Sequence, residues 1–202
     1  NMALGPIYLR IDVLMLSYYQ GSVAVGLYEA GTSIFYRFNI VARMFNNALM
    51  PLLAHEYETE TARIRRYVKA AAKYQTAIGM PLTVLCLLLG SRIITLIYGP
   101  DFVDSGIVFS LLATIITLRF LDNTLAMMLT AVNMQTQRSI IVALAAVVNV
   151  SLNLYFVPQH GFLGATITTI MTEICFFAGL YLILSRRVTQ PMPWELLLSL
   201  IH

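Results

Sequence analysis

The chain has 202 residues, 58% of them hydrophobic and only 11% charged, against about a quarter charged in a soluble domain. A formal net charge of +3 is too small to point to nucleic acid, and the composition excludes a soluble globular domain. Apolar runs of about 20 residues that satisfy their own backbone hydrogen bonds are the expected spanning units, and the alternating pattern of a membrane barrel is absent, so the expected fold is all-α and integral to the membrane.

Hydropathy and loop punctuation predict six spans in chain order, over 3–19, 31–53, 72–98, 106–132, 139–157 and 163–185, which make residues 1–187 one six-helix transmembrane bundle. Gly79 and Pro81 are expected to kink the third span, and Gly90 to redirect it before LIYG. The tail VTQPMPWELLLSLIH, residues 188–202, reads as an interfacial segment anchored by Trp194 and leading into a further, truncated span. With Asn1 at its start and an apolar run beginning at its end, the chain is expected to be part of a longer membrane protein.

Loop charge predicts orientation. The connection ARIRRYVKAAAK carries Arg63, Arg65, Arg66, Lys69 and Lys73, and the later loops on that side carry Arg138, Arg186 and Arg187. The alternate loops QGSVAVGLYE, YGPDFVDSG and PQHGFLG have no Lys or Arg, so the basic side and both ends of the bundle are expected in the cytoplasm.

Ionisable residues interrupt the apolar runs: Arg10 and Asp12 in the first, Arg37 and Arg43 in the second, Arg119 and Asp122 in the fourth, Glu173 in the sixth. At about 3 kcal/mol each, these seven would cost roughly 20 kcal/mol facing lipid, more than the net stability of a domain, so they are expected to face a bundle interior or a wet cavity. Helical spacing makes stripes of them: Asn39, Arg43 and Asn46 or Asn47 on the second helix, Arg119, Asp122 and Asn123 on the fourth, Asn149 and Asn153 on the fifth. One reading is structural glue, in which Arg119 pairs with Asp122 and Glu173 with Arg37 or Arg43. The other is a cavity for an anion, because arginines outnumber acids and the guanidinium fork matches phosphate oxygens. A site for organic cations would instead show surplus acids and aromatics.

Other motifs carry little. HEYET at His55 lacks the second histidine of a zinc HExxH helix, and NVS at Asn149 lies within a span, where a glycosylation match is chance. Cys86 and Cys175 read as small hydrophobes, His160 as a turn residue, and neither a metal nor another cofactor is implied.

Five stretches in order, RIDVLMLSYYQGSVAVGLYEAG, ALMPLLAHEYE, IITLIYGPDF, LTAVNMQTQ and NVSLNLYFVPQHGFLGATITTIMTE, resemble the C-terminal half of a polysaccharide transporter of the O-antigen flippase type, a family grouped with MATE exporters and lipid II flippases. The resemblance implies one lobe of a two-lobe, MATE-like transporter, with a missing N-terminal lobe as its partner. It also implies movement of undecaprenyl-pyrophosphate-linked oligosaccharide across a bacterial or archaeal cytoplasmic membrane by alternating access, with no catalysis. The family's RxD matches Arg10 and Asp12, its GxY matches Gly26 and Tyr28, and its tE matches Thr172 and Glu173. Substrate contacts are expected from depth and stripe instead: Arg43 and Arg119 for the diphosphate, Arg37 and Arg10 beside them, and Asn39, Asn46 and Asn149 for sugar hydroxyls. Asp12, Asp122 and Glu173 are candidates for a coupling ion or for ion pairs. The rival readings are a lipid II flippase, a MATE-type cation antiporter, a membrane-embedded polyprenyl-glycan polymerase or transferase, and a purely structural subunit; the short outer loops argue against the enzyme.

Overall fold

A computed structural model describes residues 10–56 and 61–187, and among these it is helical nearly throughout, with no strand. In chain order the elements are α1 (Ile11–Glu56), α2 (Thr61–Tyr98), a 3-10 turn (Pro100–Phe102), α3 (Val103–Ala113), α4 (Ile116–Ala131) and α5 (Gln135–Arg187). The expected interfacial segment 188–202 and the start of the first expected span lie outside the described residues, as do the side chains of His55, Arg63, Arg65, Arg186 and Arg187.

Two of these helices fold back on themselves. In an unbroken helix Asp12 and Tyr28 would stand about 24 Å apart, yet the Tyr28 hydroxyl donates to Asp12 Oδ2 at 2.5 Å. The reversal sits at Gly21, whose φ of 80° and ψ of −177° only glycine adopts at low cost. In α5, Asn149 Nδ2 reaches Thr172 Oγ1 at 3.2 Å, and the chain reverses between them at Gly161, with φ 57° and ψ −133°. Each long element is therefore an antiparallel pair, and the expected outer loops QGSVAVGLYE and PQHGFLG shrink to single glycines flanked by helix. Helix starts again straight after Gly21 because Ala24 and Tyr28, assigned from sequence to a loop, are buried. Alanine at Gly161 would combine strained backbone with a Cβ 2.9 Å from Gln20 Oε1. A loss of about 1–3 kcal/mol is expected, read as a lower thermal midpoint of the purified protein.

The expected redirection at Gly90 is not found, since α2 runs as one helix through Pro81 to Tyr98 and ends at Gly99, where φ is 96°. Gly79 and Gly90 both sit at close helix contacts: a Cβ on the first would meet Thr117 at 3.1 Å, and on the second would collide with the Ser110 hydroxyl. Where lipid supplies no hydrophobic drive between helices, such close backbone approach is what holds them together. The break comes in the fourth expected span, which is split at Thr114 and Ile115 and bent by 49°.

Among the described residues two helical stretches, Arg66–Tyr98 and Gln135–Ser185, are long and apolar enough to cross a membrane, and the bent pair α3–α4, taken as one span, makes a third. One core cluster gathers Leu16, Tyr28, Phe35, Phe109, Phe120 and Val157; another joins Val68, Met128, Leu129, Ile141 and Leu180. Cys86 is buried and Cys175 exposed, both as free thiols.

Candidate functional site

The polar stripes of α1, α4 and α5 converge. Arg119 on α4 is the meeting point: its Nη1 donates to Glu173 Oε2 at 2.6 Å, and its guanidinium carbon lies 5.6 Å from the Phe35 ring centre and 5.2 Å from that of Tyr36. Both ionic partners are largely buried, at 21% and 13% side-chain exposure, and the flanking rings add a cation–π attraction. The expected pairings of Arg119 with Asp122, and of Glu173 with Arg37 or Arg43, are not found. Glu173 comes from the returning half of α5, and only the reversal at Gly161 and the bend before α4 bring it to Arg119.

Around this pair the polar groups form a continuous web. Asn123 Nδ2 donates to Asn39 Oδ1 at 2.6 Å and to the Arg119 carbonyl at 2.7 Å, tying α4 to α1. Asn153 Nδ2 donates to Asn149 Oδ1 at 3.0 Å. The Tyr28 hydroxyl, besides its bond to Asp12, lies 3.2 Å from Thr169 Oγ1. Tyr28→Phe would leave the buried Asp12 carboxylate with only the backbone N–H of Val13. That change is expected to cost about 1–3 kcal/mol, measured as a drop in thermal midpoint that Thr169→Val reproduces only weakly.

Two cavities meet at Arg119. The larger, about 870 Å³, is lined among others by Arg10, Asp12, Asn39, Arg43 and Arg119. The smaller, about 100 Å³, is lined by Asp12, Tyr36, Arg119, Asn149, Thr169, Thr172 and Glu173. The larger falls in the upper part of the usual range for ligand sites. Of the arginines around it, Arg10 lies 3.5 Å from Glu29 and Arg119 is held by Glu173, whereas Arg43 has no ion-paired acid among the described residues.

The other candidates sit apart from these walls. Arg37 is exposed and lines neither cavity. Asn46 is buried against α2, accepting from Gln75 Nε2 at 2.7 Å. Asp122 is buried behind Arg119. Sequence reasoning did not pick out Glu29, Tyr36 or Thr169. The threonine spacing in ATITTIMTE, with Thr169, Thr172 and Glu173 on one helix face, was the available signal.

Residues 3–106, just over half of the chain, match the family model described as polysaccharide biosynthesis protein. A protein of Haloferax volcanii named probable flippase AglR is 24% identical over 169 residues, which cover 82% of this chain and 35% of that protein. The chain thus spans about a third of the length of the curated relative it matches. No solved structure matches it.

Proposed function

We propose, from the premise that this chain belongs to the polysaccharide transporter and flippase family described as polysaccharide biosynthesis proteins, that it is one six-span lobe of a two-lobe flippase for polyprenyl-diphosphate-linked oligosaccharide. The observation that carries the reading is the 870 Å³ cavity with Arg10, Arg43 and Arg119 on its walls. A diphosphate leaving water loses its hydration, and permanently charged guanidinium groups replace that hydration with two parallel bonds each. Arg43, which has no ion-paired acid among the described residues, is the natural first contact, and Asn39 beside it offers an amide to sugar hydroxyls. The polyprenyl tail stays in lipid throughout. Alternation comes from rocking of this lobe against a second one, with the basic loops on the cytoplasmic side of the cytoplasmic membrane.

The test is reconstitution of the complete protein in vesicles with a fluorescent short-chain polyprenyl diphosphate oligosaccharide, scoring the fraction that becomes accessible to a membrane-impermeant quencher. Arg43-dependent translocation supports the reading. Translocation of organic cations, with none of the glycolipid, overturns it in favour of cation export.

A further inference from the structure

α2 ends in the stretch IITLIYGPDF, which the anion path leaves unused. Gly99, with φ 96°, stops the helix, and the 3-10 turn that follows is closed by the Phe102 N–H donating to the Gly99 carbonyl at 3.3 Å. The turn folds Phe102 back beside Tyr98, with ring centres 5.5 Å apart and planes tilted by 41°. Both rings pack against the core and also line the 870 Å³ cavity, so each is only partly buried. The Ser33 hydroxyl donates to the Ala30 carbonyl at 3.1 Å, which leaves its oxygen to accept from Tyr98 at 2.8 Å. Tyr98 is thereby held in orientation, and its own oxygen keeps a lone pair for a further donor. Glu29, one turn before Ser33, brings a carboxylate to the same wall, 3.5 Å from Arg10.

This aromatic corner and the arginines occupy different depths of one cavity. α1 has no break after Gly21, and the Ser33–Tyr98 bond sets Ser33 level with the corner. Arg43 stands about 15 Å farther along the helix axis, the length of roughly three sugar rings. It lies toward the end where Asn46 meets Gln75 and where α2 carries Arg66, Lys69 and Lys73. Asn39 and Arg119 fall between the two, tied together through Asn123. The cavity therefore has an arginine end and an aromatic end.

We propose that the corner formed by Tyr98, Phe102, Ser33 and Glu29 is a sugar subsite. With the diphosphate on Arg43 and Arg119, a ring further along the glycan lays a C–H face on the two aromatic rings, while Glu29 and the Tyr98 oxygen accept from its hydroxyls. The electron-rich face of an aromatic ring attracts the weakly positive C–H groups of a sugar. The sugar class that fits is a neutral pyranose of glucose configuration, because all-equatorial hydroxyls leave axial C–H groups on both faces, and the Arg10–Glu29 pair beside it carries no net charge. The inference rests on the flippase reading for a glycan carried on a diphosphate, and adds to it where along the cavity the glycan is read and which kind of ring is read there.

The experiment is equilibrium binding of two short-chain polyprenyl diphosphates to the complete protein in lipid nanodiscs, one carrying a single glucose and the other a β-linked glucose trisaccharide. The trisaccharide probe should bind about tenfold more tightly. Phe102→Leu, which keeps an apolar side chain against the core but removes the ring, should erase most of that gain and leave the affinity for the single-glucose probe unchanged. Arg43→Ala should weaken both probes alike, a split that a general loss of packing would not give. Glu29→Gln, at the half-exposed edge of the corner, should cut the gain several-fold and serves as the second variant should Phe102→Leu fail to fold. Equal affinity of the two probes for the unmodified protein overturns the subsite and leaves the flippase reading standing, as does a gain that persists in both variants. Binding of neither probe overturns both readings.

Discussion

Arg43→Ala and Arg119→Ala should both abolish most glycolipid translocation, yet only the second should destabilise the protein. Arg43 is exposed to the cavity and has no ion-paired acid among the described residues, so its removal strands no buried charge. Its folding effect should stay within about 0.5 kcal/mol, as for ordinary surface substitutions. The loss of one charge-assisted bond to a diphosphate, about 1.5–3 kcal/mol, should weaken ligand binding roughly 10- to 150-fold. Arg119 is different because its guanidinium lies 2.6 Å from the largely buried Glu173, whose charge it balances. Removing one partner of such a pair leaves the other uncompensated and typically costs about 3–5 kcal/mol. Arg119→Ala should therefore lower the thermal midpoint sharply as well as stop transport, and the double variant Arg119→Ala, Glu173→Gln should recover part of the stability and none of the activity. Paired thermal unfolding and translocation measurements on the three variants check this. If Arg43→Ala transports normally, the anion path does not run along this wall.

The second large effect lies far from any charge. At Gly106 an added Cβ would come within 2.6 Å of Ser91 Cα, a backbone atom that cannot swing aside, and within 2.9 Å of Ser91 Cβ. Gly106→Val should therefore push α3 off α2, and overpacking of this kind costs about 1–3 kcal/mol or more. Gly26→Ala is the matched control, since its Cβ meets nothing within 4 Å. The measurement is the fraction of protein surviving a heat challenge in detergent by size-exclusion chromatography: Gly106→Val should aggregate at a lower temperature, and Gly26→Ala should follow the unmodified protein. Because α3 also meets α1 through Gly31, whose added Cβ would lie 2.8 Å from the Ser105 carbonyl, the same substitution at Gly31 should behave like Gly106→Val.

How much of the site was legible in the sequence depends on the range over which each signal acts. The stripes Asn39–Arg43 and Arg119–Asp122–Asn123 follow from helical spacing, and four of their residues come together: Asn39 bonds Asn123, and Arg43 and Arg119 line one cavity with Asn39, while Asp122 is buried apart from its walls. Asn46 satisfied the same spacing and went elsewhere, to Gln75 of α2, because a helix 46 residues long carries a stripe well past the end of any cavity. The partner of Arg119 was not legible at all. Asp122 is three residues away and Glu173 is 54, and sequence proximity favoured the wrong acid. At three residues along a helix two side chains are neighbours only if their rotamers turn toward each other, and here the cavity drew Arg119 toward α5.

The sequence by itself determined the class of the molecule: helical and membrane-embedded, with mid-span charges too costly for lipid, of which Arg10, Asp12, Arg43, Arg119 and Glu173 line the cavities and Arg37, against expectation, does not. Composition and helical period are local properties, and hydrocarbon leaves the backbone few alternatives. Family kinship was legible too, because five short stretches in order resemble the family whose model matches residues 3–106. Only the tertiary structure decided which residues meet, through two glycine reversals at Gly21 and Gly161 and an unannounced bend at Thr114–Ile115. Those three points orient six helical stretches over tens of ångströms, and a change of direction at one or two residues leaves no periodic trace in the chain that makes it.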